Sequence, residues 1–261
     1  MNEFMIHTRN VAIGYRKKKS DSVIATGIDI NVASGQLVAL VGANGIGKST
    51  LLRTLTGIQP PLQGQIFLGC TNIEHMTARD IAKELSVVLT EKLPPSNLTV
   101  YELVALGRQP YTNWMGRLSE IDKTAIHNAV ELTDIGHLLS KKHYELSDGQ
   151  MQKVLIARAL AQDTPLIVLD EPTTHLDLNH KANLLQLLKK LTRETAKAIL
   201  FSTHDIDLAI QLCDELIVMT AQKIVQDIPM RLIENGTFDT MFPNTTIKFD
   251  QSSHTFIIAD F

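Results

Sequence analysis

A short glycine-rich stretch, Gly42–Thr50, constrains the fold of this 261-residue chain more than any other part of its sequence. It fits the pattern G-x-x-x-x-G-K-[ST], follows the apolar run Leu37–Val41 and precedes a helical pattern over 50–56. A strand, a glycine-rich turn and a helix in this order form a phosphate-binding loop, because glycine permits tight turns and the free N–H groups at the start of a helix attract an anion. The residues expected to bind a nucleoside triphosphate here are Gly42, Asn44, Gly45, Gly47, Lys48, Ser49 and Thr50.

Composition limits the kinds of protein this chain can be. With 261 residues, 44% of them apolar, it is expected to form one domain with a subdomain rather than two domains. A formal net charge of −3 argues against nucleic acid as the main partner, because phosphate backbones are bound by basic surfaces. Cys70 and Cys213 lack metal-ligand spacing and fit a reducing compartment. Neither a signal peptide nor a membrane-spanning run is expected.

Strand-like and helical patterns alternate along most of the chain. Near the N-terminus we predict two short strands joined by a polar turn at 16–22, followed by a strand at Ile28–Val32. Further on, strands at 86–89, 166–169, 198–202 and 215–219 alternate with helices, and this alternation predicts a parallel sheet covered on both faces. From Thr99 to Ala161 the apolar residues recur at helical spacing, and Trp114 and Ile121 are expected to contribute to the apolar surfaces of this region.

These patterns predict an α/β fold. Residues 1–90 and 156–225 are expected to form a P-loop nucleoside triphosphatase core with a mostly parallel sheet and an N-terminal antiparallel β subdomain. Residues 91–155 are expected to form an inserted α-helical subdomain, and 226–261 a C-terminal extension with a hairpin, all within a single domain of residues 1–261.

Two carboxylates follow the apolar strand predicted at Leu166–Leu169. Ligands of open α/β sheets bind at the carboxyl ends of the strands, so Asp170 and Glu171 are expected to lie beside the phosphate-binding loop. Phosphoryl transfer to water needs a carboxylate that holds Mg²⁺ and a group that orients the water. The pair therefore predicts ATP hydrolysis with Mg²⁺.

Four further motifs resemble those of ATP-binding-cassette (ABC) transporter subunits, over residues 3–225. Leu146–Gln150, LSDGQ, is similar to that family's LSGGQ signature and lies about twenty residues before the two carboxylates. His175–Asp177 resembles the D-loop, Phe201–Asp205 the switch-histidine loop, and Gly14-Tyr15 the aromatic position that stacks on adenine. The order and spacing of these motifs imply the ABC ATPase fold.

The resemblance implies a role for each matching residue. Tyr15 would stack on the adenine base, and Ser49 with Asp170 would hold Mg²⁺. Glu171 would be the general base that polarises the attacking water. His204 would hydrogen-bond the γ-phosphate and position both Glu171 and the D-loop.

The resemblance also implies a second copy of the chain. Ser147, Gly149 and Gln150 would contact the ATP that another copy holds, and Asp177 would belong to the D-loop. Such sites are completed in trans, which implies a head-to-tail homodimer that closes on two ATP molecules.

The sequence departs from the family pattern at two positions. Thr90 stands where the family usually has a glutamine that contacts the metal or water and links to the membrane partner, and the neighbouring Glu91 is an alternative candidate for that role. Our hypothesis is that 90–95 keeps the coupling role while metal contact is weakened. Asp148 replaces the first signature glycine, and its charge would disfavour phosphate unless the side chain points away.

Within the family, Leu103–Leu118, with GRQPY at 107–111, and Glu145–Leu178 most resemble ATPases that import iron–siderophore complexes, haem or cobalamin. Such subunits dock on transmembrane permease subunits at the cytoplasmic face of the inner membrane, while an extracytoplasmic substrate-binding protein delivers the substrate. The alternative is a soluble ABC ATPase that assembles complexes in the cytosol, for example in iron–sulfur cluster biogenesis. The identity of the imported molecule is not encoded in these motifs.

Overall fold

The computed structural model describes residues 4–17, 20–90, 96–242, 245–251 and 253–258. Its strands are β1 (Phe4–Tyr15), β2 (Ser22–Ile28), β3 (Asn31–Ala33), β4 (Leu37–Gly42), β5 (Gln63–Leu68), β6 (Thr71–Asn72), β7 (Leu85–Val88), β8 (Leu166–Leu169), β9 (Ala198–Thr203), β10 (Glu215–Met219), β11 (Ile224–Asp227), β12 (Ile247–Asp250) and β13 (Thr255–Ile258). Its α-helices are α1 (Lys48–Leu55), α2 (Ala78–Glu84), α3 (Val100–Ala105), α4 (Glu120–Thr133), α5 (Asp148–Ala161), α6 (Leu178–Thr195), α7 (Ile206–Leu212) and α8 (Pro229–Glu234). Short 3₁₀ turns lie at Ile73–His75, Leu106–Arg108, Gly136–Leu138, His143–Glu145 and Phe238–Thr240.

The central sheet has the strand order β11-β10-β4-β9-β8-β7. From β10 to β7 all neighbours pair in parallel, whereas β11 pairs antiparallel with β10. Every residue of β4, β8 and β9 is buried, as expected for strands covered by structure on both faces. Because the parallel strands end at one edge, the segments that follow them are brought together there.

A second, antiparallel sheet has the order β2-β1-β5-β6, with β3 also paired to β1. Its inner face and the central sheet share one apolar core around α1, to which Ile13, Ile66, Val38 and Leu51 contribute. The predicted α/β fold, with a mostly parallel sheet, an N-terminal antiparallel sheet and an inserted helical region, is therefore confirmed.

The strand predicted over Ile28–Val32 is divided into two. β2 ends at Ile28, and β3 begins at Asn31. The division has a physical cause, because β2 pairs with the second half of β1 and β3 with its first half. Between these halves Asn10 has a positive φ of 47°, and its backbone N–H donates to the carboxylate of Asp29 at 2.6 Å.

Helices α3, α4 and α5 form the inserted region. Thr99 and Ser119 start α3 and α4 with the reciprocal hydrogen bonds of a capping box, as the sequence predicts. Gly107 lies so close to α5 that a Cβ atom there would be 2.2 Å from the carbonyl oxygen of Arg158. This contact requires glycine and fixes the end of α3 against α5.

The apolar faces of this region differ from those predicted. Trp114 is 93% exposed and Ile121 is 77% exposed, so neither contributes to the core. On α4 the buried side chains are instead Ile126, Ala129 and Val130. Asp122, next to Ile121, turns inward because its carboxylate accepts hydrogen bonds from Ser119 and pairs with the buried Arg108.

The C-terminal part begins with α8 and ends with the predicted hairpin of β12 and β13. Three aromatic rings join the hairpin to the main core. Phe238 and Phe249 are stacked with their centroids 4.8 Å apart, and Phe249 and Phe256 meet edge-on at 5.1 Å. Helix α5 continues across the boundary predicted at 155/156, and β11 continues across the boundary predicted at 225/226. Within the described ranges, no helix is both long and apolar enough to span a bilayer.

Candidate active site

Four neighbouring parallel strands, β4, β9, β8 and β7, end at the same edge of the central sheet. The glycine-rich loop follows β4, and His204 follows β9. Asp170 and Glu171 follow β8, and Thr90 lies shortly after β7. This edge is where open α/β sheets bind their ligands. The strand order therefore collects the predicted groups into one site.

The glycine-rich loop is shaped by its backbone and by one buried cation. Gly47, at the start of α1, has a φ of 115°, a positive value that glycine adopts readily and other residues rarely do. The ammonium group of Lys48, a residue only 5% exposed, donates to the carbonyl oxygens of Gly42 at 3.0 Å and Ala43 at 3.3 Å. The pocket beside the loop is lined by Asn44, Gly45, Gly47, Lys48, Ser49, Thr50, Glu171 and His204.

Burial sets the electrostatics of this pocket. Removal from water lowers the pKa of Lys48, and the carboxylates of Glu171 and Asp170 offset this effect only in part. An anion bound in the loop would stabilise the charged ammonium further, since an opposite charge favours the ionised form. The pocket therefore combines free helical N–H groups and a buried cation, as a phosphate site requires.

Three hydroxyl groups surround the buried carboxylate of Asp170. Ser202 donates to Oδ1 at 2.6 Å, and Ser49 donates to the same oxygen at 3.3 Å. Thr90 reaches Oδ2 at 3.5 Å, the outer limit for a hydrogen bond. Oδ2 is thus the less satisfied oxygen, and the carboxylate with the exposed Ser49 hydroxyl offers the hard oxygen ligands that Mg²⁺ prefers.

Glu171 and His204 form a hydrogen-bonded pair. The histidine Nε2 lies 2.5 Å from Oε1 of Glu171, and its Nδ1 lies 3.4 Å from the ammonium of Lys48. Since an ammonium group can only donate, this geometry suits a neutral ring that carries its proton on Nε2. Glu171 has a positive φ of 47°, and its backbone N–H donates to Ser202 Oγ at 2.8 Å. The strained turn holds the carboxylate at the mouth of the phosphate pocket.

Asp205 fixes the loop that carries His204. Its carboxylate accepts hydrogen bonds from Thr173 and from Lys181 on α6, each at 2.7 Å. The switch-histidine loop is thereby linked to the segment after Glu171 and to the helix that follows the D-loop.

Tyr15 lies at the open side of the phosphate loop. Its hydroxyl is 3.1 Å from Oγ1 of Thr50, and the residue is 49% exposed. A half-exposed ring next to the loop is available to stack on a base.

The signature and D-loop residues form a separate face. At the start of α5, the backbone N–H of Ser147 donates to Oε1 of Gln150 at 3.2 Å, and the backbone N–H of Gln150 donates to Oγ of Ser147 at 3.3 Å. Asp177 caps α6 by accepting a hydrogen bond from the backbone N–H of His180 at 2.9 Å. Backbone and side-chain hydrogen bonds from His180 lower the pKa of Asp177. A Cβ at Gly149 would lie 3.1 Å from the His180 ring, so the two helix starts are adjacent.

The structure does not bring this face to the phosphate pocket of its own chain. Among the described residues that line that pocket, Ser147, Gly149 and Gln150 do not occur. Ser147 and Asp177 are instead exposed to solvent.

A cleft separates the phosphate loop from the signature helix. It has an apolar wall, made by Leu89, Tyr144, Leu146, Met151 and Leu155. Its other side is lined by polar residues at the sheet edge that carries the candidate active site, namely Ser49, Thr90 and Glu171. Asp148 also faces this cleft. Glu91, the alternative to Thr90, lies outside the described residues.

The sequence interpretation did not include Ser202, Asp205 or His143 among the functional positions. Ser202 is the strongest omission, because it contacts both Asp170 and the backbone of Glu171. The sequence signal for Ser202 is its position directly after the apolar run Ala198–Phe201, two residues before His204.

Together, the strand order, the glycine-rich loop and the paired carboxylates define a P-loop ATPase of the ATP-binding-cassette class. A family model described as ABC transporter matches residues 25–174. An achromobactin transport ATP-binding protein from Dickeya dadantii is 35% identical over 91% of this chain and 87% of its own length. The chain belongs to the ABC transporter family and is of the ATP-binding subunit type.

Two further comparisons support this membership. An iron(3+)-hydroxamate import ATP-binding protein from Bacillus subtilis is 37% identical over 85% of this chain and 81% of its own length. A bacterial ABC transporter cassette solved as a dimer superimposes with a TM-score of 0.74 at 26% identity, covering 86% of this chain and 99% of that one. The predicted family, fold and ATPase activity are confirmed.

Proposed function

We propose that this chain powers the import of an iron–siderophore, haem or cobalamin-type substrate through partner permease subunits. The observation that carries the proposal is the convergence of Lys48, Asp170, Glu171 and His204 at one sheet edge in a chain whose relatives bear the names of siderophore and hydroxamate transport subunits. These names favour transport over cytosolic complex assembly. The cassette would comprise the core and the helical subdomain predicted at 91–155.

The residues at the sheet edge fit hydrolysis of ATP. Tyr15 stacks on the adenine, and Lys48 with the loop N–H groups holds the β- and γ-phosphates. Ser49 and Asp170 would hold Mg²⁺, which would neutralise charge that develops on the phosphate oxygens. Glu171 accepts the proton of the attacking water, while His204 orients its carboxylate through the 2.5 Å hydrogen bond.

The signature face fits completion of the site by a second copy. Ser147 and Gly149 lie outside the phosphate pocket of their own chain, at an exposed helix start that favours an anion. In a head-to-tail homodimer, this face closes on the ATP bound to the other copy. Asp177 on the adjacent helix start faces the same interface.

The cleft beside Thr90 fits the membrane partner. Its apolar wall of Leu89, Tyr144, Leu146 and Met151 suits a short amphipathic helix of a permease subunit. The chain would then lie at the cytoplasmic face of the inner membrane as a peripheral subunit. An extracytoplasmic substrate-binding protein would supply the permease from the other side.

Co-purification of the chain with any permease subunits encoded beside its gene, followed by uptake assays, tests this proposal. We expect ATP-dependent uptake of a siderophore complex, haem or cobalamin into proteoliposomes, and none with Lys48→Ala. Stable association with cytosolic assembly proteins, without any permease, would favour the alternative.

A further inference from the structure

Two segments that are distant in sequence are joined between Thr90 and the start of α5. The backbone hydrogen bonds between them run from Val100 to Lys141 at 2.9 Å, from Tyr101 to Leu139 at 3.1 Å and from His143 to Leu98 at 3.2 Å. An isolated antiparallel bridge between Thr99 and Lys142 lies in the same ladder. The chain from Leu98 to Tyr101 is therefore held against the chain that leads into Ser147.

The side chain of His143 closes this ladder at the end nearer the active site. The residue is only 7% exposed. Its Nε2 accepts a hydrogen bond from the backbone N–H of Ser96 at 3.2 Å and lies 2.9 Å from the hydroxyl oxygen of Ser96. Ser96 is the first described residue after Thr90.

The chemistry of this contact requires an acceptor at position 143. A backbone N–H can only donate, so Nε2 must be the unprotonated nitrogen of a neutral ring. Loss of the acceptor would leave the N–H of Ser96 without this partner beside a buried side chain. The ring also lines the cleft that contains Thr90 and Glu171.

We propose that His143 is a positioning residue that makes the segment starting at Ser96 and the turn before Ser147 move as one body. Its carbonyl oxygen accepts from the N–H of Leu146 at 3.4 Å, directly before the signature serine. A displacement of Ser96 is thereby passed to Ser147 rather than absorbed between them. This inference rests on the proposed completion of the site by Ser147 of a second copy.

The test compares two substitutions, each of which removes one property of the imidazole ring and keeps another. His143→Phe keeps a ring of similar size and removes the acceptor, whereas His143→Gln keeps an acceptor at a similar reach and removes the ring. Both are made in full-length Glu171→Gln, and the dimer is measured by analytical ultracentrifugation with ATP and Mg²⁺. Binding of a fluorescent ATP analogue to the monomer is measured in parallel.

We expect His143→Phe to weaken the ATP-dependent dimer about tenfold, or about 1.4 kcal/mol, because without the acceptor Ser147 is less firmly positioned for the second copy. His143→Gln should restore the dimer to within about threefold of the parent. Affinity of the monomer for nucleotide should stay the same in both variants, because Gly42–Thr50 supplies those contacts. Ser96→Ala, which keeps the N–H, should have an intermediate effect and serves if His143→Phe does not fold.

Equal dimerisation of the parent, His143→Phe and Ser96→Ala would overturn the inference. Equal losses in His143→Phe and His143→Gln would also overturn it, because packing of the ring rather than the acceptor would then matter. If the parent itself forms no dimer with bound ATP, the proposed site between two copies fails, and the inference fails with it.

Discussion

At the scale of single residues, one hydroxyl group contacts both Asp170 and Glu171. Ser202 Oγ donates to Asp170 Oδ1 at 2.6 Å and accepts from the backbone N–H of Glu171 at 2.8 Å. Ser202 is fully buried, so neither contact is shared with bulk water. The proposed metal-binding carboxylate and the proposed base are therefore positioned from β9, the strand that leads into His204.

Replacing Ser202 by alanine should impair both hydrolysis and stability. Ser202→Ala removes both hydrogen bonds and leaves two buried groups without that partner, at a cost of about 1–3 kcal/mol in the free energy of unfolding. We expect the ATPase rate to fall at least about tenfold, since Asp170 and Glu171 are both released. Steady-state kinetics and urea unfolding measure the two effects. A variant with the rate of the wild type would contradict this assignment.

Thr90 offers a second prediction at this scale. Its bond to Asp170 is long, at 3.5 Å, so Thr90→Val should change the rate by less than about threefold. Thr90→Gln places a longer side chain with a carbonyl oxygen beside Asp170, and we expect it to lower the Mg²⁺ concentration required for half-maximal activity. An unchanged rate and an unchanged Mg²⁺ dependence in Thr90→Gln would rule out weakened metal contact.

The sequence predicts these residues unevenly. Lys48, Asp170, Glu171 and His204 occur in motifs whose spacing fixes their place at strand ends, and the structure brings all four together. Ser202 and its contacts depend on β9 lying between β4 and β8, which local sequence does not specify.

At the scale of elements, Arg108 links the helices of the inserted region. It is 4% exposed, pairs with Asp122 on α4 at 2.8 Å and donates to the last carbonyl oxygen of α5, that of Ala161, at 2.8 Å. Its guanidinium also lies 4.0 Å from the centre of the Tyr111 ring. The GRQPY stretch thus has a structural basis in the packing of α3, α4 and α5.

Removing this link should destabilise the inserted region. Arg108→Ala leaves Asp122 buried without its cation, and breaking a buried ion pair in this way costs about 3–5 kcal/mol. Arg117→Ala, at an exposed arginine nearby, is the matched control and should change the unfolding free energy by less than about 0.5 kcal/mol. Chemical unfolding compares the two variants, and a loss below about 1 kcal/mol in Arg108→Ala would refute the structural role.

The elements themselves were predicted where their patterns are continuous. β8 and β10 have the bounds that the apolar runs indicate. The pattern failed where tertiary contacts decide: Ile121 points outward because Asp122 occupies the inward position, and β3 separates from β2 because it pairs with the other half of β1.

At the scale of the whole molecule, the two functional faces of one chain do not meet. The phosphate pocket lies at the ends of β4, β8 and β9, while Ser147 and Asp177 start α5 and α6 on an exposed face. A related cassette has been solved as a dimer. In the proposed homodimer, ATP itself is the contact between two copies, so that binding closes the dimer and hydrolysis releases it.

Sedimentation equilibrium of Glu171→Gln, with and without ATP and Mg²⁺, tests this central claim most directly. The variant lacks the base but keeps the phosphate loop, so it should bind ATP without turnover and form a dimer with one ATP per chain. Lys48→Ala, which loses the phosphate contact, should stay monomeric under the same conditions. A Glu171→Gln chain that binds ATP and remains a monomer would contradict the account.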